Sequence, residues 1–270
     1  MTNHIVSTIN DFGRQWEKYT ENTGYYASTA SLVALFGPLL FPSDIKGKQV
    51  ADIGAGTGRY CRILNELGAK EILAIEPSSA FDVLKKNTTT CQGIQYLQAT
   101  AEQIPPNAFD MIFCIGVLQF IQDPIPALRA MGRALNTEGK LFLWVYGEEN
   151  NRLYLSFVRP MRKITSRMSH EWLDKLAGFL VFPASFYAYL CCFLRLPMAA
   201  YMRRYFSKLN FYSRKLVVYD QLNPKYARYY RKEELEMLLK SSGFSNVQLY
   251  HHLGYSWSVT ARYRIHEEFP

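Results

Sequence analysis

Residues 48–64 read KQVADIGAGTGRYCRIL and carry the strongest structural signal in the chain. An apolar strand-like run ends at Ile53, three glycines follow at positions 54, 56 and 58, and a helical run comes next. This order places backbone N–H groups and a helix N-terminus at the carboxyl end of a first strand, where doubly wound sheets bind their ligands. A second apolar run, EILAIEPS at 71–78, brings Glu76 twenty-two residues after Gly54. An acid at that distance binds two ribose hydroxyls, so the pattern predicts a nucleoside ligand.

Two residues argue against a dinucleotide. The third glycine of a dinucleotide loop, which lets helix and strand pack closely, would fall at Arg59. Asp52 also places a carboxylate beside the loop, where it repels a pyrophosphate and favours a ligand with ammonium or sulfonium charge. S-adenosylmethionine is such a ligand.

The surrounding sequence alternates strands and helices. From about 48 to 146 short runs rich in Val, Ile, Leu and Phe alternate with helical stretches, which indicates βαβ units and a parallel sheet covered on both faces. The rhythm resumes at RKEELEMLLKSSGF and closes with two strands, NVQLYHH and SWSVTARYRI. We therefore divide the chain into N-terminal cap helices (1–47), a cofactor-binding core (48–146), a helical lid insertion (147–231) and a completion of the core (232–270).

Further motifs resemble one family. TAEQIP at 100–105, FDMIFCIGVLQFIQDP at 109–124 and GKLFLWVY at 139–146 follow the glycine loop at the separations typical of class I S-adenosylmethionine-dependent methyltransferases of the type 11-like, Rossmann-like group. The resemblance is good over 48–146 and loose over 219–262. It implies an α/β fold: a doubly wound, mostly parallel seven-stranded sheet with an antiparallel last strand, N-terminal helices and a helical lid insertion.

The resemblance also implies S-adenosyl-L-methionine as the cofactor and a set of binding residues. The glycine loop would lie under the methionyl part, Glu76 would bind the ribose beside Pro77, and Ala101 and Glu102 would flank the adenine. Thr100 stands where the family usually has Asp. The full implied set is Asp52, Gly54, Ala55, Gly56, Gly58, Glu76, Pro77, Thr100, Ala101, Glu102, Ile115 and Gly116. No metal is expected, because the five cysteines lack CxxC spacing.

Methyl transfer from a sulfonium needs alignment, exclusion of water and, for some acceptors, removal of a proton. The acceptor-side candidates come from the N-terminal helices, the loop after strand four and the insertion. Asp220, Tyr229 and His251 are candidate catalytic residues, and Tyr19, Tyr26, Gln119, Phe120, Tyr226 and Tyr230 are candidate substrate-binding residues. The alternative is open for each: the tyrosines pack a lid, Asp220 caps a turn, and His251 is merely hydrogen-bonded or solvated.

The insertion carries the excess positive charge of the chain. Residues 151–215 hold twelve Lys or Arg and two Asp or Glu, a balance of +10, whereas the whole chain has +8 and the remainder therefore −2. Residues 176–194 form a run of nineteen residues without a charge, and the length of this run approaches that of a membrane span. Because Gly178 and Pro183 interrupt this run, we predict two shorter helices broken near Pro183 within a lid, and not a transmembrane anchor.

These observations predict an enzyme, an S-adenosylmethionine-dependent methyltransferase that acts on oxygen or nitrogen of a small or lipid-like organic acceptor. Two alternatives stay open: an RNA methyltransferase that uses the basic insertion, and a non-catalytic S-adenosylmethionine-binding regulatory protein. Nucleic acid is the disfavoured partner at this point, and the basic flanks of 151–215 would allow peripheral membrane contact. The N-terminus lacks a secretory signal and the cysteines form no framework, so a cytoplasmic location, with membrane attachment at most at the surface, is expected.

Overall fold

The computed structural model describes residues 3–106 and 108–264. Its centre is a seven-stranded sheet of order β3-β2-β1-β4-β5-β7-β6. The strands are β1 (Gln49–Ile53), β2 (Glu71–Ile75), β3 (Ile94–Leu97), β4 (Phe109–Ile115), β5 (Leu135–Tyr146), β6 (Phe244–His252) and β7 (Ser256–Tyr263). Strands β1 to β5 pair in parallel, and β7 pairs antiparallel with both β5 and β6. The predicted fold class is confirmed.

Helices cover both faces of the sheet. The core and N-terminal helices are α1 (Asn3–Lys18), α2 (Thr29–Phe36), α3 (Arg59–Glu66), α4 (Phe81–Asn87) and α5 (Pro124–Ala134). The insertion holds α6 (Arg152–Thr165), α7 (His170–Leu190), α8 (Ala199–Arg204) and α9 (Phe211–Leu222), and α10 (Lys232–Ser241) precedes β6. Side chains of Ser28 and Asp123 cap α2 and α5 by accepting hydrogen bonds from backbone N–H groups of their first turns.

The apolar strands explain why both faces are covered. On one face the sheet packs against α5 and α10 through residues such as Leu128 and Leu239, and on the other against α2 and α3 through residues such as Phe36 and Leu64. Strand β1 lies between β2 and β4, so the strand order reverses at β1. A crevice therefore opens at the carboxyl ends of β1 and β4, where such sheets bind ligands.

The prediction of two helices broken near Pro183 is wrong, because α7 runs without interruption through 21 residues. Proline removes one backbone hydrogen bond and crowds the carbonyl four residues earlier. Pro183 and Phe179 are both exposed, so the carbonyl of Phe179, which the proline leaves without its helical hydrogen bond, lies on a side of α7 that water can reach. The sequence alone shows that a proline destabilises a helix, but it does not show whether the proline lies on the buried or the exposed side of that helix.

None of the helices within the described residues is both long enough and apolar enough to cross a membrane.

Candidate active site

A cavity of about 400 Å³ lies at the carboxyl ends of β1, β2 and β4. The last residues of these strands, Ile53, Ile75 and Ile115, all line it. Ten of the twelve residues implied for cofactor binding line the same cavity: Gly54, Ala55, Gly56, Glu76, Pro77, Thr100, Ala101, Glu102, Ile115 and Gly116. Four sequence segments thus converge on one volume because the parallel strands end at one edge of the sheet.

The glycine loop needs its glycines for two reasons. Gly54 and Gly56 have φ angles of 67° and 54°, in the left-handed region that other L-residues rarely adopt. A Cβ atom on Gly54 would lie 2.5 Å from a methyl group of Val117. The loop is fixed to β2, because the N–H groups of Gly54 and Ala55 both donate to the carbonyl of Ile75. Its backbone therefore borders the cavity directly.

Glu76 is the only carboxylate whose contacts tie the second strand to the glycine loop among the described residues of this cavity. It is 5% exposed, and its Oε2 accepts from the N–H of Gly56 at 2.8 Å. Its Oε1 accepts from the N–H and the hydroxyl of Ser78 at 3.0 and 2.5 Å. The loop, the strand end and the cavity wall are thus joined by one side chain.

Asp52 and Gly58 do not line the cavity. Asp52 is buried beneath the loop, where its Oδ2 accepts from the thiol of Cys61 at 3.2 Å. Burial raises the pKa of its carboxyl from 3.8 to about 7. Gly58 has a φ of 79° and precedes α3, and a Cβ there would lie 2.7 Å from Thr88 and 2.9 Å from Leu84. Its contribution is the close packing of α3 against α4.

The N-terminal helix α1 lies where cap helices were expected and covers the cavity, but with side chains that were not among the predicted site residues. Thr8, Ile9, Phe12 and Trp16 of α1 all line it. Gly13 permits the close approach, because a Cβ there would lie 2.6 Å from Oγ of Ser79. The 3–4 spacing of Ile9, Phe12 and Trp16 was the available signal, since it marks a helix face that seeks burial.

Arg59 stands beside the predicted substrate-binding residue Tyr26, and both line the cavity. Its guanidinium carbon lies 3.8 Å above the centre of the Tyr26 ring and 4.1 Å above that of Tyr60. It also donates to the carbonyl of Tyr26 at 3.1 Å. The cation replaces the third glycine of a dinucleotide loop and fills the space there, which agrees with a ligand other than a dinucleotide.

Asp220 is the insertion residue that reaches the cavity. Its Oδ1 accepts from Nε2 of Gln15 at 3.0 Å, and its Oδ2 accepts from the phenol of Tyr146 at 2.8 Å. Burial raises the pKa of Asp220, and burial followed by the Asp220 charge raises that of Tyr146. The carboxyl therefore sits where a proton from an acceptor could be received, and Tyr146, which sequence reasoning missed, orients it.

A second cavity of about 520 Å³ lies within the insertion, lined by α6, α7 and α9. Its walls are mostly apolar, with Val158, Met161, Leu180 and Val217 among them, and Tyr146 and Gln221 contribute hydrogen-bonding groups. The predicted catalytic residue Tyr229 lines this second cavity and not the first. Its phenol accepts from Arg162 at 2.9 Å, and its ring stacks on Tyr146 with centroids 5.3 Å apart.

The remaining predicted residues divide between the cofactor cavity and the packed interior. Phe120 lines the cofactor cavity and contacts Phe12, with ring centroids 4.5 Å apart. Gln119 is wholly buried next to Gly116, and its side-chain amide atoms have no hydrogen-bond partner. It lines neither cavity.

His251, Tyr19, Tyr226 and Tyr230 also line neither cavity. His251 stacks on Trp257 at 4.3 Å, and burial lowers its pKa. Tyr19 donates to Asp174 at 2.6 Å, and Tyr230 is fully buried in the core beside α10. The sequence alone therefore did not distinguish aromatic and titratable side chains that pack in the interior from those that line a cavity.

The residues of the first cavity fit S-adenosylmethionine. The left-handed glycines keep a side-chain-free strip of backbone along one wall, and the buried Glu76 carboxylate provides acceptors for two ribose hydroxyls. Ala101 and Pro77 supply small apolar surfaces for an adenine ring. Asp52 lies buried behind the loop and does not line the cavity, so its contact with Cys61 supports the loop from below.

Comparison with known proteins agrees with this geometry. Residues 51–143 match the model of the family described as "Methyltransferase domain". A tRNA U34 carboxymethyltransferase of Hahella chejuensis is 35% identical over 152 residues, which cover 51% of this chain and 46% of that protein. One of Campylobacter hominis is 36% identical over 106 residues, covering 37% and 36%. The chain thus matches less than half the length of these curated relatives.

These relatives correct one prediction. Nucleic acid was the disfavoured partner, with a small or lipid-like molecule preferred, but the names of the relatives specify a tRNA. The inference failed for a physical reason. The charge of +10 on residues 151–215 attracts any anionic partner, and charge composition does not distinguish a phosphate backbone from a lipid headgroup.

Solved structures share the fold. DhpI in complex with SAH has a TM-score of 0.61 at 12% identity, with 98% of this chain and 99% of that one covered. Human N-acetylserotonin methyltransferase in complex with SAM has a TM-score of 0.57 at 13% identity, with 97% and 59% covered. The predicted family, Rossmann-like sheet and cofactor class are confirmed. Residues 51–143 are a methyltransferase domain, and they lie within the class I, Rossmann-like fold of the chain.

Proposed function

We propose that this chain modifies RNA, with tRNA as the substrate class, by transferring a group from an S-adenosylmethionine-type donor to a base. The observation that carries the proposal is the 35% identity over 152 residues to a protein named for its action on tRNA. That match spans half of the chain and is far stronger than the 12–13% identity to the solved structures. The RNA reading is therefore preferred to a small organic acceptor.

The charge of the insertion supports an RNA substrate. Exposed basic residues occur on several of its elements, including Arg159, Lys163, Arg203, Arg204 and Lys208. Lys and Arg contacts to phosphates supply most of the sequence-independent affinity for nucleic acid. The balance of +10 falls within 151–215, a range that holds α6, α7, α8 and the start of α9, the helix that carries Asp220.

The aromatic side chains of the cavity support an unpaired base as the acceptor. Phe12, Trp16, Tyr26 and Phe120 all line it. Proteins that act on a base take it out of its stack and hold it against aromatic rings. A flipped base would find such rings next to the strand ends, where the methionyl part of the cofactor is expected.

The proposed reaction assigns distinct roles to the residues present. When bound, the donor would supply a carbon electrophile on its sulfonium: a bond would form from that carbon to a heteroatom of the base, the carbon–sulfur bond would break, and the thioether would leave. Glu76 would hold the ribose, the glycine loop would lie along the methionyl part, and α1 would exclude water. Asp220, held by Gln15 and Tyr146, would receive the proton that the acceptor atom loses.

The test is incubation of the protein with undermodified tRNA and S-adenosylmethionine labelled in its methyl group, followed by nucleoside mass analysis. We expect label in one nucleoside with the mass gain of one methyl group, and a parallel reaction with a donor whose transferred methyl group carries a carboxylate tests transfer of a carboxymethyl group. Affinity for tRNA should fall steeply between about 50 and about 200 mM salt, because several phosphate contacts release counterions. Cofactor binding with neither tRNA binding nor transfer to tRNA would refute the proposed substrate class and leave the family assignment intact.

A further inference from the structure

Helix α7 exposes a row of aromatic side chains that the proposed function does not use. Trp172, Phe179, Phe182, Phe186 and Tyr189, with Phe193 just beyond the helix, are between 60% and 72% exposed. We call these six residues the aromatic face. Monomeric proteins rarely expose a contiguous apolar surface of this kind, and such a surface marks an interaction site.

The spacing of the aromatic face is that of a helix-packing seam. Residues 172, 179, 186 and 193 are seven apart, and 182 and 189 each follow the preceding member by three. Alternating steps of three and four keep a narrow row on one side of a helix and mark the seam by which helices pack against one another. The row is therefore shaped for another helix.

The opposite side of α7 is already buried. Leu173, Ala177, Val181 and Ala188 pack inside the insertion, largely against α9. Because residues 176–194 contain no charge, α7 has no charged side at all along most of its length. A helix that is apolar on all sides is typically buried on all sides. Because one side of α7 is already buried inside the insertion, the exposed side is expected to meet a further packing partner.

We propose that the aromatic face of α7 packs against the same face of a second copy of this chain and forms a symmetric homodimer. Such an isologous contact needs a self-complementary surface without like charges opposite one another. The uncharged run 176–194 satisfies this condition for five of the six residues, and Lys175 lies over the ring of the sixth, Trp172. The proposal concerns assembly and does not depend on the identity of the acceptor.

The size of the face suits a stable dimer. A fully buried aromatic side chain covers roughly 150–250 Å², so six that are about two-thirds exposed would bury roughly 600–1,000 Å² per copy. The two copies together would bury roughly 1,200–2,000 Å², which is the range of specific interfaces. Phe211 of α9 extends the face, since its ring lies 6.1 Å from that of Phe182 and is 54% exposed.

Sedimentation velocity of the full chain over a range of concentrations tests the proposal. The wild-type protein should be dimeric, and the dimer should persist at high salt because the contact is apolar. The double variant Phe182→Glu/Phe186→Glu should be monomeric, with a dissociation constant raised about 100-fold or more. Phe41→Glu is the matched control, because Phe41 is 60% exposed and lies outside the insertion; it should remain dimeric.

Far-UV circular dichroism and the affinity for S-adenosylhomocysteine establish whether the double variant is folded. The milder substitution Phe186→Ser should weaken the dimer in part. A wild-type protein that is monomeric at every concentration would overturn the proposal. So would a monomer that binds vesicles of phosphatidylserine, or tRNA, and loses that binding in the double variant. In those cases the aromatic face serves a lipid surface or an RNA.

Discussion

The phenol of Tyr146 donates a hydrogen bond of 2.8 Å to the carboxylate of Asp220, and this pair stands between two cavities. Asp220 lines the cofactor cavity at the strand ends, and Tyr146 lines the apolar cavity of the insertion. Tyr146 also accepts from Nε2 of Gln221 at 2.8 Å. The carboxylate is therefore held from behind by groups that do not themselves enter the cofactor cavity.

Asp220→Asn should lower kcat about 100-fold or more, because a positioned proton acceptor contributes at least that much. Burial raises the pKa of Asp220, so the wild-type rate should increase with pH through that raised value as the carboxylate ionises. The variant should lose this dependence. Rate measurements across pH, with Asp174→Asn as the control carboxylate in the insertion, check the expectation. An unchanged acid limb in the Asp220 variant would exclude the residue as proton acceptor.

Glu76→Gln should weaken the binding of S-adenosylhomocysteine about 10- to 100-fold, since charge-assisted hydrogen bonds to the ribose become neutral ones. The amide can still accept one of the bonds from Gly56 and Ser78, so the loop should stay in place. Calorimetry measures the affinity. Ser78→Ala, which keeps the carboxylate, should bind nearly as well as the wild type. Equal affinities for all three proteins would mean that the ribose lies elsewhere.

Asp52 should make the stability of the protein depend on pH. Its folded pKa of about 7 exceeds the ordinary 3.8, so between these values the folded protein keeps a proton that the unfolded chain has lost. The free energy of unfolding should therefore decrease as pH rises from about 4 to about 7, and this contribution should change no further above that. Asp52→Asn should lack the decrease. Urea unfolding at pH about 5 and about 8 gives the free energy of unfolding of both proteins. If the wild type and Asp52→Asn differ in this free energy by the same amount at both pH values, the expectation is contradicted.

Gly13→Val should weaken cofactor binding by displacing α1. A Cβ at Gly13 would lie 2.6 Å from Oγ of Ser79 and 3.2 Å from Cβ of Ser78, so a branched side chain cannot fit beneath the helix. The sheet does not depend on this contact, and unfolding by urea should be little changed. Gly178→Ala in α7 is the control, because its nearest neighbour would be 3.5 Å away. Calorimetry should show reduced affinity only for the Gly13 variant.

The parts of the molecule that depend on local order were predictable. Apolar runs, glycines at left-handed positions and an acid at the end of β2 together specify a parallel sheet and its ligand edge, and ten implied cofactor residues line one cavity. These features can be predicted from sequence because each depends on a short continuous stretch of residues that forms one strand, one turn and one helix.

The acceptor side was not predictable in the same way. Gln15 and Asp220 are 205 residues apart in sequence and meet only through packing. For His251, the alternation of a strand states which face a side chain takes but not that Trp257 covers that face. For Pro183, composition gives the cost of a proline in a helix but not whether water is present to offset it. Such outcomes are set by tertiary neighbours.

The hydrogen bonds between α1 and α9 couple the exchange of the cofactor beneath α1 to the position of α9. Gln15 donates to Asp220, and Asn223 donates both to Oε1 of Gln15 and to the carbonyl of Asp11, so the helix over the cofactor cavity is bonded to the insertion by three hydrogen bonds. Opening α1 to exchange a spent cofactor must break these bonds or carry α9 along. If a macromolecule binds α9 more tightly while α1 is in place, the bound cofactor and that macromolecule strengthen each other's binding by the same factor.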